Sequence, residues 1–315
     1  MRVLIFHGYL LAGTGSNVYN ARLAETLVRA GHEVHLVCQE RHPGDYPFAS
    51  AAGEWHGGEL RVRRLPAPAG AMSGARGRGR CTIYRPDIGK LLPVYVADEY
   101  EGIEARTFAR CSEAELARYL DANVSAVSGL AQAVRPHLAL ANHLVMGPAI
   151  LARALREEVP YAVKVHGSAL EYTVKPEPAR FLPYAREGLA RARAVLVGSR
   201  HTAESLWAAL ADPLLERRTR LGPPGVDVAR FAARAPAQAA DALRELTRAL
   251  AAGAEQGHQR APSAFARDKR AAAAALARLD PAAQPLVAYA GKLIVSKGVD
   301  LLIAAWPLEI GRAHV

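Results

Sequence analysis

Two lysines stand out by their spacing. The run Gly291-Lys-Leu-Ile-Val-Ser-Lys-Gly298 places Lys292 and Lys297 in one octet, each beside a glycine, where an apolar helical stretch begins. Lys and Arg together number 40, yet only six are lysines, so two in one octet is an unusual concentration. Fixed ammonium groups with glycine beside them for close backbone approach suit an anion such as a departing diphosphate. The competing reading is a solvated helix start with no ligand.

A second set follows the apolar strand-like runs. In open parallel sheets ligands gather at the carboxyl ends of strands. Gly13, Gly15 and Ser16 lead from the first such run into a helix N-terminus, whose free amides and dipole suit a phosphate or sugar oxygen. Later runs end in Asn142-His143, in His166-Gly167-Ser168 and in Gly198-Ser199-Arg200. Singly, these have plain structural explanations: Ser199 as a helix cap, Asn142 as a turn residue, His143 as a surface histidine. His166, directly after a β-branched run and before a glycine, is the candidate for touching substrate. Four polar strand ends on one edge make a cleft.

Other chemistries fail on pattern. His32-Glu33-Val34-His35 is not the helical H-E-x-x-H, and on a strand both its spacing and its geometry are wrong for zinc. There is no G-x-S-x-G elbow, no G-x-x-x-x-G-K-[ST] loop and no Asp-x-Asp pair for a divalent metal. The glycine loop is a poor dinucleotide fingerprint, because Val18 stands where the third glycine belongs. Glu40 lies where a ribose-binding acid could, so a Rossmann-type oxidoreductase domain using Gly13 to Asn17 and Glu40 stays open, as does a non-catalytic sugar- or phosphate-binding domain.

Short β-branched runs alternating with helical-period stretches position these residues, the pattern of βα units and a parallel sheet. Strands are expected at 2–6, 33–37, 60–65, 137–141, 161–165 and 194–197. Helices are expected at 17–30, stopped by Gly31, at 112–134 with Ser112 and Glu115 as a capping box, at 146–157 and at 201–210. Residues 55–80, with the run Ala75-Arg-Gly-Arg-Gly-Arg80, read as a mobile basic loop, and 232–285 as an Ala/Arg-rich linker or helical arm. Pro285 to Ala290 reads as a buried strand opening a new βα cycle. The expected domains are therefore 1–222, a crossover and linker over 223–285, and the start of a second domain over 286–308. Residues 309–315, which equal the translation of a common sequencing adaptor, read as a non-native tail, with the natural frame running on past Leu308.

Composition limits the classes. The 315 residues are 50% hydrophobic and 22% charged, enough for a buried core, and carry a formal charge of +10 that suits an anionic partner. Aromatics make up only 6%, and the basic runs are not interleaved with them, so nucleic acid is not an expected partner. Three scattered cysteines, Cys38, Cys81 and Cys111, with no signal peptide, point to a reducing cytoplasm.

Taken in order, Gly15-Ser-Asn-Val-Tyr19, His166-Gly-Ser168, Val197-Gly-Ser199, Pro223-Pro-Gly-Val-Asp227 and Gly291 to Gly298 resemble the family-4 retaining glycosyltransferases of the GT-B fold. The resemblance implies an α/β protein: an N-terminal Rossmann-like, doubly wound parallel sheet on the acceptor side, followed here by only the first βα unit of a second Rossmann-like domain. It implies metal-independent transfer, with retention, from a UDP- or GDP-linked sugar to a sugar, polyol or lipid-linked acceptor, without a cofactor. A peripheral contact with an anionic membrane fits such an acceptor. By position, Lys292 and Lys297 would hold the donor diphosphate, with Gly15 and Ser16 beneath its phosphates. Asn17, Asn142, His143 and Ser199 would line the acceptor and sugar side, with His166 as the catalytic residue. Family members continue through a whole second domain that carries an E-x7-E motif, which is not found after Gly298 here, and the 315-residue chain is expected to be inactive alone.

Overall fold

A computed structural model describes residues 1–66, 79–96, 100, 102–229, 231–255, 268–280, 287–289, 291, 293 and 295–310. The chain divides into two compact units, Met1–Val226 and the described residues from Asp227 onward.

The first unit is built on a nine-stranded sheet. Its strands are β1 (Arg2–Phe6), β2 (Glu33–Val37), β3 (Ala49–His56), β4 (Glu59–Arg64), β5 (Arg80–Arg85), β8 (Leu138–Asn142), β9 (Tyr161–Val165), β10 (Ala194–Val197) and β11 (Thr219–Leu221). They run in the order β11-β10-β9-β8-β1-β2-β5-β3-β4, while β6 (Leu91–Val94) and β7 (Glu104–Thr107) form a separate parallel pair. Every pairing in the large sheet is parallel except β3 with β4. The helices of this unit are α1 (Gly15–Arg29), α2 (Glu113–Val134), α3 (Gly147–Ala154), the single turn α4 (Gly167–Ala169), α5 (Pro178–Ala190), α6 (Arg200–Leu210) and α7 (Pro213–Arg218).

Strand alternation assigns each side chain to a face. Val3 and Ile5, with Val34 and Leu36, pack on the α1 side with Ala21 and Ala24. Leu4 and Phe6, with Ala139, Ala141, Val163 and Val165, pack with residues of α2, α3 and α5. Both faces are covered, which explains why these strands read as nearly continuous apolar runs. The same parity sends Lys164 and His166 toward α1, where Tyr19 meets both.

Two stretches depart from the sequence expectation. Residues 55–80 contain the end of β3, all of β4 and the first residue of β5, although only 60–65 was expected to be strand. β3 is rich in alanine and glycine, and tertiary fit rather than propensity places it: a Cβ on Gly53 would come within 2.5 Å of the Tyr84 ring. Of the Gly/Arg run, residues 75–78 lie outside the described residues.

In the second unit, α8 (Pro236–Glu255) and α9 (Lys269–Leu276) pack together with Ala273 buried, so the described part of the Ala/Arg-rich segment is mostly helical. The expected strand at 285–290 does not form over its described residues 287–289, and Val287 is exposed; no partner strand is present among the described residues to pair with it. The helix after it, α10 (Val299–Ile310), does form, with Leu301 and Ile303 exposed.

The α2 capping box is complete: the Ser112 hydroxyl accepts from the Glu115 amide at 3.3 Å, and the Glu115 carboxylate accepts from the Ser112 amide at 2.8 Å. Ser112→Ala is expected to lower unfolding free energy by about 1 kcal/mol in a urea titration, and an unchanged midpoint would contradict that role for the cap.

Candidate active site

The strand ends of β1, β8 and β9 bring three histidines together. His7 follows β1, His143 follows Asn142 at the end of β8, and His166 follows β9. The His143 ring lies 4.8 Å from that of His166 and 5.9 Å from that of His7, centroid to centroid. Tyr95 and Tyr9 close over it at 4.4 and 5.3 Å, and Tyr19 meets His166 edge-on at 5.5 Å.

Hydrogen bonds set which ring nitrogens carry protons. His7 Nε2–H donates to Asn17 Oδ1 at 3.0 Å and to the Leu10 carbonyl at 3.1 Å, while its Nδ1 accepts from Asn20 Nδ2 at 3.0 Å. His166 Nε2–H donates to Asn142 Oδ1 at 3.1 Å, and the Asn142 amide nitrogen donates in turn to the Phe6 carbonyl at 3.4 Å. His166 is therefore held as the Nε2–H tautomer, and its Nδ1 lone pair has no partner among the described residues. His143 is 2% exposed, adopts φ +68°, and neither of its ring nitrogens is hydrogen-bonded. A buried imidazole left that way costs about 1–3 kcal/mol per unmet group.

The three rings are neutral. Burial pushes His7 down to about 4, partly opposed by its bonds to Asn17 and Leu10. Burial, helped by His7 and Lys164, takes His166 down to about 3. His143 falls well below the usual histidine range by burial, with His166 and His7 adding to it. Lys164 is the one cation here: it is 1% exposed, donates to the Gly222 carbonyl, and lies 5.6 Å from the Tyr19 ring centre. It forms no ion pair among the described residues, and burial lowers its pKa. His166 itself is only half-buried, so the uncharged acceptor nitrogen stands where a ligand can reach the group.

The remaining sequence candidates take distinct places. Gly15 and Ser16 form the first turn of α1, whose amides have no intrahelical acceptor, behind the N-cap Thr14. Asn17 is 1% exposed, and its amide nitrogen donates to the Ala12 carbonyl at 2.6 Å, so it braces His7 and the glycine loop from within. Asn142, equally buried, braces His166 in the same way. Ser199 caps α6 through the Thr202 amide at 3.1 Å, at the exposed end of β10. Lys292 lies outside the described residues; Lys297 belongs to the second unit, exposed in the turn Val295–Lys297.

Glu40 does not have the free carboxylate a ribose would need. Its oxygens accept from the amides of Leu11, Arg41 and His42 at 3.2, 2.9 and 2.9 Å and from the Tyr46 hydroxyl at 3.0 Å. It clamps the glycine loop to the end of β2, which removes the dinucleotide reading's main residue.

Across residues 14–214, nearly two thirds of the chain, the sequence matches the model of the glycosyl transferase 4-like domain. The chain belongs to that family. The match falls on the amino-terminal Rossmann-like lobe that the motifs implied. No curated protein matches it. Among solved structures it is similar to sucrose-phosphate synthase from Thermosynechococcus elongatus (18% identity, 76% of this chain and 51% of that one, TM-score 0.44). It is also similar to a trehalose 6-phosphate synthase from Burkholderia multivorans (15%, 78% and 55%, TM-score 0.37) and to UDP-GlcNAc 2-epimerase from Neisseria meningitidis (10%, 70% and 45%, TM-score 0.37). The chain spans about half the length of these structures.

His7, Tyr9, Tyr95 and Lys164 complete the cluster around His143 and His166 without having been singled out in the sequence. Lys164, a lone charge inside the apolar run Tyr161–Val165, was the available signal.

A histidine held below its ordinary pKa contributes stability that is full above pH 6.5 and is lost as pH falls toward the folded-state value. The melting temperature is therefore expected to decline between pH 6.5 and 5, above the carboxylate range, with buried His35 adding to the slope. His166→Asn should flatten it. A level melting temperature across that window would contradict the neutral cluster.

Proposed function

We propose that this chain serves transfer of a sugar from a nucleoside diphosphate, UDP or GDP, to a hydroxyl acceptor, with retention and without a metal. The observation that carries the reading is the half-buried, neutral His166, whose Nδ1 is unpaired while Asn142 fixes its other nitrogen. Such a nitrogen accepts a hydrogen bond from an attacking hydroxyl and orients the oxygen lone pair toward the anomeric carbon. His143 is buried behind it, its ring 4.8 Å from that of His166, and backs the acceptor and sugar side rather than facing it. As the new carbon–oxygen bond forms, the bond to the diphosphate breaks, negative charge collects on the leaving group, and the acceptor's proton passes to the departing diphosphate oxygen.

Charge on the leaving group is met by the first-turn amides of α1, at Gly15 and Ser16. Lys292 and Lys297 stay the sequence's candidates for a diphosphate, on their motif alone. The acceptor is a sugar, a polyol or a lipid-linked hydroxyl. A lipid-linked one would bring the protein to an anionic membrane surface, although no helix among the described residues is long and apolar enough to cross a membrane. Free, buried Cys38, Cys81 and Cys111 suit a reducing cytoplasm.

Nucleotide release from a panel of UDP- and GDP-sugars, with EDTA present, tests the reading. In a chain carrying both complete lobes, turnover is expected to persist in EDTA and to fall about 10²-fold in Lys297→Ala. An unchanged rate removes Lys297 from the reaction, and loss of turnover in EDTA defeats metal independence. The 315-residue chain alone is expected to release no nucleotide; release by it would show that the lysine octet needs no further sugar and base pocket.

A further inference from the structure

A cavity of about 620 Å³ lies outside the histidine site, between α2 and the β6–β7 pair. α2 gives it Glu115, Arg118, Tyr119 and Ala122, a spacing of three, four and seven residues that puts all four on one helix face. Ile88 and Leu91, both partly buried, join Tyr119 as its apolar lining.

The charges around this lining fall into two groups. Arg106 is neutralised in place, bonded to Glu115 at 2.7 Å and paired also with Glu104. Lys90, Arg118 and Asp121 are exposed, and their side chains make no hydrogen bond or ion pair among the described residues. Three cations and three carboxylates thus border one opening, and their formal charges cancel.

That combination selects a ligand chemistry. A phosphate or sulfate would gain from the cations but meet the carboxylates, and a cation would meet the reverse. A sugar hydroxyl both donates and accepts, so it uses ammonium, guanidinium and carboxylate together, while the C–H face of a pyranose packs on apolar side chains. We propose that this cavity is a binding site for a neutral carbohydrate unit, distinct from the histidine site. The cavity volume lies in the range of small-molecule sites. Tyr119 connects it to the histidine site, since a Cβ on Gly8, next to His7, would lie 3.2 Å from the Tyr119 hydroxyl.

The purified 315-residue chain on an array of neutral and anionic oligosaccharides, followed by calorimetry with the best-retained neutral oligosaccharide, tests it. Retention of a neutral oligosaccharide is expected, weakened at least about tenfold by Arg118→Ala and by Asp121→Ala through loss of charge-assisted bonds. Both positions are exposed, so melting temperatures should match the parent, and His166→Ala should leave the affinity unchanged. The proposal is overturned by absence of any retained neutral oligosaccharide or by preference for anionic glycans. It is equally overturned by binding that His166→Ala abolishes while Arg118→Ala spares it.

Discussion

An imidazole packed within 6 Å of two others at the end of a parallel sheet, as His143 is with His7 and His166, favours the uncharged form of all three. That constraint governs the site. A proton on any of the rings would have to be desolvated, and on His166 it would also lie near the Lys164 ammonium, so the neutral forms are favoured. Neutrality in turn gives the asparagines their purpose. An imidazole without charge has one donor and one acceptor, and Asn17, Asn20 and Asn142 decide which nitrogen is which. The result is one outward-facing base, His166 Nδ1, whose orientation is fixed from behind.

The scaffold behind this arrangement divides the labour by face. The α1 side of the sheet carries the polar residues at its carboxyl edge, and the opposite side carries the large aliphatic and aromatic core under α2, α3 and α5. Tyr9 and Tyr95 reach across the edge: the Tyr9 hydroxyl donates to the Pro93 carbonyl at 3.0 Å, and that of Tyr95 donates to the Val145 carbonyl. The first ties β6 to the loop after β1, and the second ties the end of β6 to the loop that holds His143. Glu40 does the same for the glycine loop, through four donors on one carboxylate. The segments that frame the cleft are therefore anchored by buried polar bonds, which are costly to break one at a time.

Much of this was legible in the residues. β1, β2, β9 and β10 follow from β-branched runs, α1 from its apolar face and Gly31, and α2 from Ser112 and Glu115. Asn142, His143 and His166 follow from asking what ends each strand. The sequence did not reveal why they matter. Asn17 and Asn142 look like ligand-binding amides in one dimension, yet both are spent on orienting histidines. β3 and β5 were illegible because Gly53 and the Gly/Arg run carry turn signals, and only the Tyr84 ring against Gly53 explains the pairing. His7 was hidden by the glycine loop that follows it, and Tyr95 by its distance along the chain from everything it touches. Glu40 was misleading for the opposite reason, since its position suits a ribose but its donors are all internal.

The tautomer of His166 tests the account most directly. Long-range nitrogen-15 NMR of the ring-labelled protein between pH 5 and 8 should show His166 as a neutral ring protonated at Nε2, with an unprotonated Nδ1 signal that does not titrate. Replacement of Asn142 by Leu should release that preference. A His166 ring that titrates near its ordinary 6.5, or that carries its proton on Nδ1, would contradict the arrangement on which the proposed chemistry stands.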